Sequence, residues 1–299
     1  MNELIDIVEV GPRDGLQNEK QVIHVSRKVE LIDLLSTAGF KRIEVGSFVN
    51  PRLVPQMADS GLVLANIKRD PKISYSVLVP NLIGYLKAKE FFPNEIAVFC
   101  SASEGFSKAN LNVSINESLE RISEFLEIAM LDGVPIRGYV SCVTDCPFDG
   151  VVLPDNVAKV VSKLSKLGCY EISLGDTLGK ASEDKIDKMF DSVLDEVPAS
   201  KLAGHFHDTS GKALNNIGVS IERGVRIFDS AVGGLGGCPF APGAPGNVAT
   251  ENVLIYLEDM GFKTGINKKS NTVIKVLNLL RKKKSVSYTH LTLPTNREV

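Results

Sequence analysis

The sequence lacks features that would assign it to several classes of protein. No apolar run approaches the length of about 18 residues that a membrane span requires. The 34 basic and 36 acidic residues give a net charge of −2, so there is no basic excess of the kind that binds nucleic acid or an anionic membrane. We therefore expect neither nucleic acid nor a membrane as a partner.

Cysteine is scarce, and the positions of the cysteines do not indicate a set of disulfide bonds. The chain of 299 residues contains five cysteines, an odd number, and they are widely scattered. The first residues, MNELIDIVEV, enter a strand-like pattern at once and do not resemble a signal or transit peptide. We therefore predict reduced thiols in a cytoplasmic protein. Cys142 and Cys146 are spaced C-x3-C, but no second pair completes a structural zinc site.

Histidine is also scarce, yet two of the four histidines lie in one stretch, AGHFHDTSG. If this stretch is a β-strand, His205 and His207 point to one face and Phe206 points to the other. Two imidazoles on one face can bind one cation, or they can form a hydrogen-bonded pair at a strand end. The pattern alone leaves both interpretations open.

Short runs rich in β-branched residues alternate with longer helical patterns along the chain. The eight candidate strands are 4–10, 42–47, 73–79, 95–100, 136–142, 170–176, 201–207 and 226–232. This alternation predicts parallel βαβ units, and eight of them fit a closed (β/α)8 TIM barrel. An open doubly wound sheet is the alternative. Its first turn normally carries G-x-G-x-x-G, whereas the turn here is GPRDGLQ.

Helical periodicity is clear in INESLERISEFLEIAMLDG, residues 115–133. The expected apolar stripe of this helix is Ile115, Leu119, Ile122, Leu126 and Ile128. Four glycines stand where a helix is expected to end, which is the usual position of a C-terminal cap. They are Gly39, Gly133, Gly168 and Gly224.

Polar residues gather at the predicted strand ends, where TIM barrels carry their reacting groups. They are Arg13 and Asp14 after the first strand, Glu44 in the second, Asp176 in the sixth, and His205 and His207 in the seventh. The eighth strand is followed by GGLGGCPFAPGAPGN, and Asn247 is predicted to open the last helix. Since the seventh, eighth, first and second strands are neighbours in a closed barrel, Asp14, the two histidines and Asn247 could meet at one point.

These four side chains have the character of a divalent metal site. One carboxylate, two imidazoles and one amide oxygen leave two octahedral positions for substrate or water, and the set suits Mg²⁺ or Mn²⁺ at least as well as Zn²⁺. Each residue also has a simpler explanation. Asp14 could cap a loop, Asn247 could be a helix N-cap, and the histidines could bond to each other.

The glycine-rich segment 233–247 is costly to order, and at this face of the barrel we predict that it acts as a lid over the site. Cys238 lies within it and could transfer a proton, because positive charge nearby favours the thiolate. An incidental small residue among glycines is the alternative.

Six segments together resemble the 3-hydroxy-3-methylglutaryl-CoA lyase family. They are VEVGPRDGLQNEK, SFVNPRLVPQMAD, RGYVSCVTDCPFDG, GCYEISLGDTLG, HFHDTSGKAL and GGLGGCPFAPGAPGNVATE, and the resemblance covers about residues 4 to 280. It implies a TIM-barrel carbon–carbon lyase of the oxo-acid-lyase type that depends on a divalent cation, Mg²⁺ or Mn²⁺. The implied reaction cleaves a CoA thioester to acetyl-CoA and acetoacetate, with a place in leucine degradation and ketone body formation.

The resemblance also implies roles for individual residues. The implied metal ligands are Asp14, His205, His207 and Asn247. Catalytic roles are expected for Arg13, Asp14, Glu44, His205 and Cys238, where Arg13 contacts the substrate carbonyl. Substrate contacts are expected at Arg13, Gln17, Lys20 and Asp176, with Glu251 supporting the site. Lys20, like Lys108, could contact the phosphates of CoA.

Three alternative functions remain. Claisen-condensing acyltransferases of the isopropylmalate and homocitrate synthase type share the barrel and the H-x-H pair, but they tend to carry a GERAGN-like stretch where this chain has GGCPFAPGAPGN. A lyase for another 3-hydroxyacyl-CoA is the second alternative. A non-catalytic metal-binding barrel is the third, and it would be expected to have lost Arg13 or Cys238. The chain could also form a homodimer.

The sequence changes character after Leu280. RKKKSVSYTHLTLPTNREV contains a basic run and then no register that continues the fold. Residues 285–299 resemble a translated adapter sequence. We therefore expect a TIM-barrel domain over residues 1–284, followed by a non-native or disordered tail over residues 285–299.

Overall fold

The computed structural model describes residues 3–19, 21–238 and 241–267, with the backbone alone for residues 238 and 241–245. Its strands, in chain order, are β1 (Asp6–Glu9), β2 (Arg42–Ser47), β3 (Ser74–Leu78), β4 (Glu95–Ser101), β5 (Ile136–Ser141), β6 (Asp145–Cys146), β7 (Gly150–Val151), β8 (Glu171–Asp176), β9 (Leu202–Phe206), β10 (Ile227–Ser230), β11 (Gly237–Cys238) and β12 (Ala241–Pro245). Its α-helices are α1 (Val25–Ser36), α2 (Ser60–Asn66), α3 (Leu82–Lys89), α4 (Glu104–Leu111), α5 (Ile115–Leu131), α6 (Pro154–Lys166), α7 (Glu183–Leu194), α8 (Ala213–Glu222) and α9 (Thr250–Asp259).

Eight of the described strands are parallel and close into a barrel in the order β1-β10-β9-β8-β5-β4-β3-β2, with β1 pairing to β2. Each of the eight predicted strands is present, so the TIM barrel is confirmed. The remaining four strands form two antiparallel hairpins, β6–β7 and β11–β12, which the sequence did not predict. The second hairpin lies within the glycine-rich segment after β10.

The helices pack around the barrel, so its strands are buried on both faces. All six residues of β8 are buried, for example, which is typical of a parallel sheet covered by helices. Helix α5 begins with a capping box formed by Ser114 and Glu117. It is followed by Gly133, whose φ of +73° is in the left-handed region that glycine adopts without strain.

One detail of the predicted α5 stripe is wrong. Ile128 is 37% exposed, whereas Phe125 and Ala129 are buried. At 100° per residue, positions 122, 125, 126 and 129 share a face, and position 128 lies well away from it. The core contact of this helical turn is therefore made by Phe125 and Ala129.

The amino-terminal end of the barrel is closed by an ionic network centred on Arg42. The two terminal nitrogens of Arg42 donate to the Glu171 carboxylate at 2.9 and 3.0 Å. Arg42 also donates to the Tyr170 hydroxyl at 2.6 Å and lies 3.4 Å from Glu95. Glu95 in turn accepts a 2.8 Å hydrogen bond from Tyr170. This network closes the end of the barrel opposite to the predicted site.

Two further expectations concern the limits of the chain and its compartment. The predicted tail, residues 285–299, lies outside the described residues, and the division at residue 284 stays a prediction.

None of the helices in the described residues has the length and apolar character needed to traverse a bilayer. The four cysteines with described side chains are buried free thiols, as predicted: Cys100, Cys142, Cys146 and Cys169.

Candidate metal centre

The predicted metal ligands are carried by three segments at the carboxyl end of the barrel. A π-helical turn, Gly11–Gly15, follows β1 directly and carries Arg13 and Asp14. His205 lies in β9, and His207 follows its end. Asn247 follows β12 and pairs with His207 in an isolated antiparallel bridge. That bridge brings the glycine-rich segment back to β9.

Asn247 does not open the last helix, contrary to the sequence prediction. Helix α9 begins at Thr250, and its N-cap residue is Ala249. The Asn247 side chain is therefore not used as a helix cap. Instead, its amide nitrogen donates to Asp14 Oδ2 at 2.7 Å and to the carbonyl of Leu235 at 3.2 Å.

Asp14, His205 and His207 form a cluster in which each residue offers one ligand atom, and these atoms lie within 4.8 Å of one another. With Asn247 hydrogen-bonded to Asp14, all four predicted ligands come together at the barrel mouth. The three-residue cluster combines one carboxylate with two imidazoles. This donor set can hold a divalent cation.

The state of His207 supports this interpretation. Its Nδ1 is buried and has no hydrogen-bond partner among the described residues, while the ring bonds to the backbone of Thr177. A buried polar atom without a partner costs about 1–3 kcal/mol, so a ligand at Nδ1 would remove this cost. Burial lowers the pKa of His207 to about 4, which keeps the ring neutral and able to bind a metal at neutral pH.

Asp14 is ionised at neutral pH. Burial alone would raise the pKa of its carboxyl group. The charge of Arg13, the charges that His205 and His207 carry when they are protonated at low pH, and the hydrogen bond from Asn247 outweigh burial and lower the pKa to about 2. An ionised carboxylate next to a neutral imidazole is the protonation state that a hard divalent cation requires. The residues present therefore fit a divalent cation.

Arg13 lies beside this cluster and is held from two sides. Its Nη1 donates to Asp14 Oδ1 at 2.6 Å, and its Nε donates to Glu44 Oε2 at 2.7 Å. The guanidinium also lies 5.5 Å from the centre of the Tyr139 ring. Glu44 is fully buried behind Arg13, and its Oε1 finds no partner within the described part of the chain. Burial raises the pKa of Glu44, although Arg13 opposes this effect.

A cavity of about 610 Å³ opens above the cluster. Its wall includes the polar residues Arg13, Asp14, Gln17, Tyr139, His205 and His207 and the apolar residues Val49, Leu53, Leu78, Phe99, Phe106 and Val113. Gln17 Nε2 donates to Asp14 Oδ1 at 3.1 Å, so this predicted substrate contact lies at the cavity. A volume of this size is in the range of small-molecule sites.

Two other predicted residues accept hydrogen bonds from the backbone of loops at this end of the barrel. Asp176 does not belong to the described cavity wall; its carboxylate accepts from the amides of Gly179 at 3.1 Å and Ala181 at 2.9 Å and so fixes the loop after β8. Its direct contact with substrate stays a prediction. Glu251 accepts from the amide of Gly233 through both oxygens, at 3.0 and 2.9 Å, and so holds the start of the glycine-rich segment.

Two predicted residues cannot be compared in the same way. Lys20 lies outside the described residues. The backbone of Cys238 pairs with Ala241 in the β11–β12 hairpin, but its side chain is not described. Close packing is visible just before it, at Gly236. A Cβ at this position would lie 3.0 Å from Asn247 Nδ2, and the φ of +119° also favours glycine.

Three residues at the site were missed from the sequence. Tyr139 lines the cavity, and Asp229 contacts His205 Nδ1 at 3.1 Å. Glu9 accepts from the amides of Gly11 and Val232, each at 2.9 Å, and bonds to Thr250, so it ties together the segments that carry Asp14 and Asn247. Burial raises the pKa of Glu9 to about 8. The available signal was a polar residue inside a strand that is otherwise buried, because such a residue needs a partner.

Comparison with known proteins gives the family. The HMGL-like family model matches residues 4–277. A Pseudomonas aeruginosa protein named 3-hydroxy-3-isohexenylglutaryl-CoA/hydroxy-methylglutaryl-CoA lyase is 52% identical over 88% of this chain and 88% of its own. A Danio rerio protein named 3-hydroxy-3-methylglutaryl-CoA lyase, cytoplasmic, is 51% identical over 88% of this chain and 78% of its own.

The solved structures agree with the sequence relatives. The crystal structure of the HMG-CoA lyase from Brucella melitensis superposes with a TM-score of 0.92 at 53% identity, and the match covers 94% of this chain and 99% of that one. The family model spans the whole described barrel, including every segment that carries a candidate ligand. The chain belongs to the HMGL-like family.

Proposed function

We propose that the protein is a carbon–carbon lyase that depends on a divalent cation, Mg²⁺ or Mn²⁺, and cleaves 3-hydroxy-3-methylglutaryl-CoA to acetyl-CoA and acetoacetate. The observation that carries this proposal is the cluster of Asp14, His205 and His207 at a cavity that Arg13 also lines, with a buried His207 nitrogen that has no partner in the described part of the chain. The names of relatives that are about 50% identical to this chain support the choice of this substrate.

The reaction breaks the bond between the tertiary alcohol carbon and the methylene next to the thioester. The hydroxyl proton must leave, and the electron pair of the broken bond must move into the thioester as an enolate. Asp14, His205, His207 and Asn247 would hold the cation. When bound, it supplies a Lewis acid that makes the substrate hydroxyl more acidic. Of the two expected bases for this proton, His205 and Asp14, only the carboxylate of Asp14 has a second acceptor atom, because His205 would bind the cation through its one free nitrogen.

Arg13 is placed to stabilise the growing oxyanion on the thioester carbonyl. Its guanidinium is fixed by Asp14 and Glu44, so it needs little reorganisation when charge develops. Gln17, beside Asp14, is placed to contact the substrate, and Lys20 stays a candidate for the CoA phosphates. As the alcohol carbon becomes the ketone of acetoacetate, the enolate carbon requires a proton to form acetyl-CoA.

Cys238 is the proposed donor of that proton. The support is the resemblance of its glycine-rich segment and the fixed ends of that segment, at Gly233 and at Asn247. Cys238→Ser should lower turnover by about 100-fold or more, the usual contribution of a positioned acid, without lowering the melting temperature. A variant that keeps most of its turnover would exclude the thiol as the donor.

A second substrate deserves a parallel test. The Pseudomonas aeruginosa relative is named for a 3-hydroxy-3-isohexenylglutaryl thioester as well, and the wall of the cavity here includes several apolar side chains. The apolar side chains of the cavity wall therefore favour one alternative function, a lyase for a longer 3-hydroxyacyl-CoA. Comparing kcat/KM for the two thioesters would distinguish them.

The experiment that tests the function is an assay with 3-hydroxy-3-methylglutaryl-CoA, in Mg²⁺ or Mn²⁺ and then in a chelator. We expect acetoacetate to form only with the cation, with a loss of about three orders of magnitude or more without it, since a Lewis acid supplies several kcal/mol. Condensation of acetyl-CoA with a 2-ketoacid, without cleavage, would instead indicate a synthase.

The compartment and the assembly stay proposals. The Danio rerio relative is named cytoplasmic, while other relatives at about 50% identity are named mitochondrial. We propose the cytoplasm, which imaging of a fluorescent fusion in the source cells would test. The predicted homodimer can be tested by light scattering. The places in leucine degradation and ketone body formation rest on the acetoacetate product alone.

A further inference from the structure

Asp229 is a buried carboxylate in direct contact with one of the two clustered histidines. Strands β10 and β9 are paired so that Asp229 lies opposite His205, and Asp229 Oδ2 lies 3.1 Å from His205 Nδ1. The Asp229 side chain is fully buried, and His205 is 12% exposed. The contact is therefore set by strand register and shielded from solvent.

The other hydrogen bonds of Asp229 prevent it from turning away. Arg137 donates to both of its oxygens, from Nη2 to Oδ1 at 2.8 Å and from Nη1 to Oδ2 at 3.2 Å. Ser173 donates to Oδ2 at 2.7 Å. A carboxylate in a bidentate pair with arginine is ionised and can only accept hydrogen bonds. The hydrogen of a neutral His205 ring must therefore be on Nδ1, and Nε2 then carries the lone pair that can bind a metal.

We propose that Asp229 is a positioning residue that fixes His205 as the Nδ1–H tautomer and directs its Nε2 towards the cation site. The proposal rests on the cation site in the proposed function. A metal-binding histidine gains basicity and a fixed ring orientation when a carboxylate accepts its second N–H. The two histidines of the H-x-H pair differ in this respect, since the ring of His207 bonds to the backbone of Thr177 instead.

The same arrangement links His205 to Arg13. Arg137, which holds Asp229, also donates to the Tyr139 hydroxyl at 2.7 Å. That hydroxyl donates to Glu44 Oε2 at 3.3 Å, and Glu44 holds Arg13. One buried arginine, Arg137, thus contacts Asp229, the carboxylate behind His205. Through the Tyr139 hydroxyl it is also linked to Glu44, the carboxylate behind Arg13.

The first test measures the affinity for Mn²⁺ directly, by the free-ion electron paramagnetic resonance signal, in folded protein. Asp229→Asn keeps the shape of the side chain but replaces one accepting oxygen by an NH2 donor, and it should weaken Mn²⁺ binding by about 10- to 100-fold. The matched control is Glu171→Gln. Glu171 also pairs with Arg137, at 2.6 Å, but its two oxygens contact Arg42 and Arg137 and not His205. This control should lose stability and keep its affinity for Mn²⁺.

The second test needs no variant of Asp229. Nitrogen-15 spectra of the Mg²⁺-loaded protein, labelled at its four histidines, should show the His205 hydrogen on Nδ1, and His205→Gln identifies the signal. A hydrogen on Nε2 would overturn the proposal, whether or not Asp229→Asn folds.

Equal Mn²⁺ affinity in wild type and Asp229→Asn would also overturn the proposal, as would an equal loss in Glu171→Gln. Failure of the proposed function gives a different result. A wild-type protein that binds Mn²⁺ and forms no acetoacetate contradicts the lyase, yet the difference between Asp229→Asn and its control remains. A wild-type protein that binds no Mn²⁺ contradicts both.

Discussion

The two ends of the barrel both carry clusters of charged side chains, but the clusters differ in how completely they are paired. At the amino-terminal end, the Glu171 carboxylate binds Arg42 and Arg137, and Glu95 binds Tyr170 and Arg42. At the carboxyl end, His207 Nδ1 and Glu44 Oε1 stay without partners among the described residues. The charges of the first end satisfy one another, whereas the second end has capacity for a ligand.

In this barrel the completeness of pairing distinguishes the two ends, whereas the presence of charge does not. A buried ion pair with complete hydrogen bonding fixes the structure and has little capacity left to bind anything else. An unpartnered nitrogen next to a cavity is costly unless a ligand occupies it. Arg137 joins the two ends, since it contacts Glu171 on one side and Asp229 on the other. Substitutions at matched positions can therefore separate the stability of the barrel from its chemistry.

The largest effect is expected from a pair of arginine substitutions. Arg13→Gln removes the proposed oxyanion donor and should lower turnover by about 100- to 1,000-fold, with the metal content unchanged. Arg42→Gln breaks a comparable ionic contact at the closed end. It should lower the free energy of unfolding by a few kcal/mol while turnover stays close to wild type. Steady-state kinetics and denaturant unfolding of both variants provide the measurement.

The comparison of the two ends would fail if Arg42→Gln lowered turnover as much as Arg13→Gln. It would also fail if Arg13→Gln retained near-normal turnover. A loss of metal from Arg13→Gln would show instead that this arginine mainly orients Asp14.

A smaller effect is expected on the pH dependence of stability in the metal-free protein. The pKa of His207 is about 4 in the folded state and about 6.5 in an exposed histidine. Between these pH values the unfolded state binds more protons, so lowering the pH through this window reduces stability. The loss from this group should be on the order of 3 kcal/mol.

His207→Gln should remove this part of the pH dependence, as measured by urea unfolding in a chelator at several pH values. Asp14 does not contribute in the same window, because its pKa of about 2 confines the loss of its stabilising effect to pH values below about 4. Parallel curves for wild type and His207→Gln between pH 4 and 6.5 would contradict the account of a buried neutral ring.

The smallest effect is expected from the end of the chain, which lies outside the described residues. Deleting residues 285–299 should leave turnover and melting temperature unchanged, since this stretch continues no register of the fold. Activity assays and calorimetry on the shortened chain check this. A clear fall in melting temperature would place these residues in contact with the barrel.

The sequence predicted most of the barrel because its local signals agree with the final structure. Strand patterns, helix periods and cap glycines all reflect backbone geometry that each segment adopts by itself. Gly133 and Gly168, for example, have φ values of +73° and +101° at the ends where they were expected. The hairpin β6–β7 was missed because two-residue strands carry almost no periodic signal.

The site was predicted less completely, for a physical reason. Asp14, His205, His207 and Asn247 were expected together because strand ends meet at one barrel face. Asp229 and Tyr139 were missed because their importance depends on strand register, which decides which buried polar residue faces which. The start of α9 was also misplaced, since the Asn247 side chain bonds to Asp14 and Ala249 occupies the N-cap position without a side-chain hydrogen bond.

The most direct test of the cation site is an anomalous-difference map from crystals grown with Mn²⁺. We predict one strong peak at the barrel mouth, at bonding distance from Asp14, His205, His207 and the Asn247 amide oxygen. A map with no peak there, or with its only strong peak at the closed end beside Glu95 and Glu171, would contradict the account.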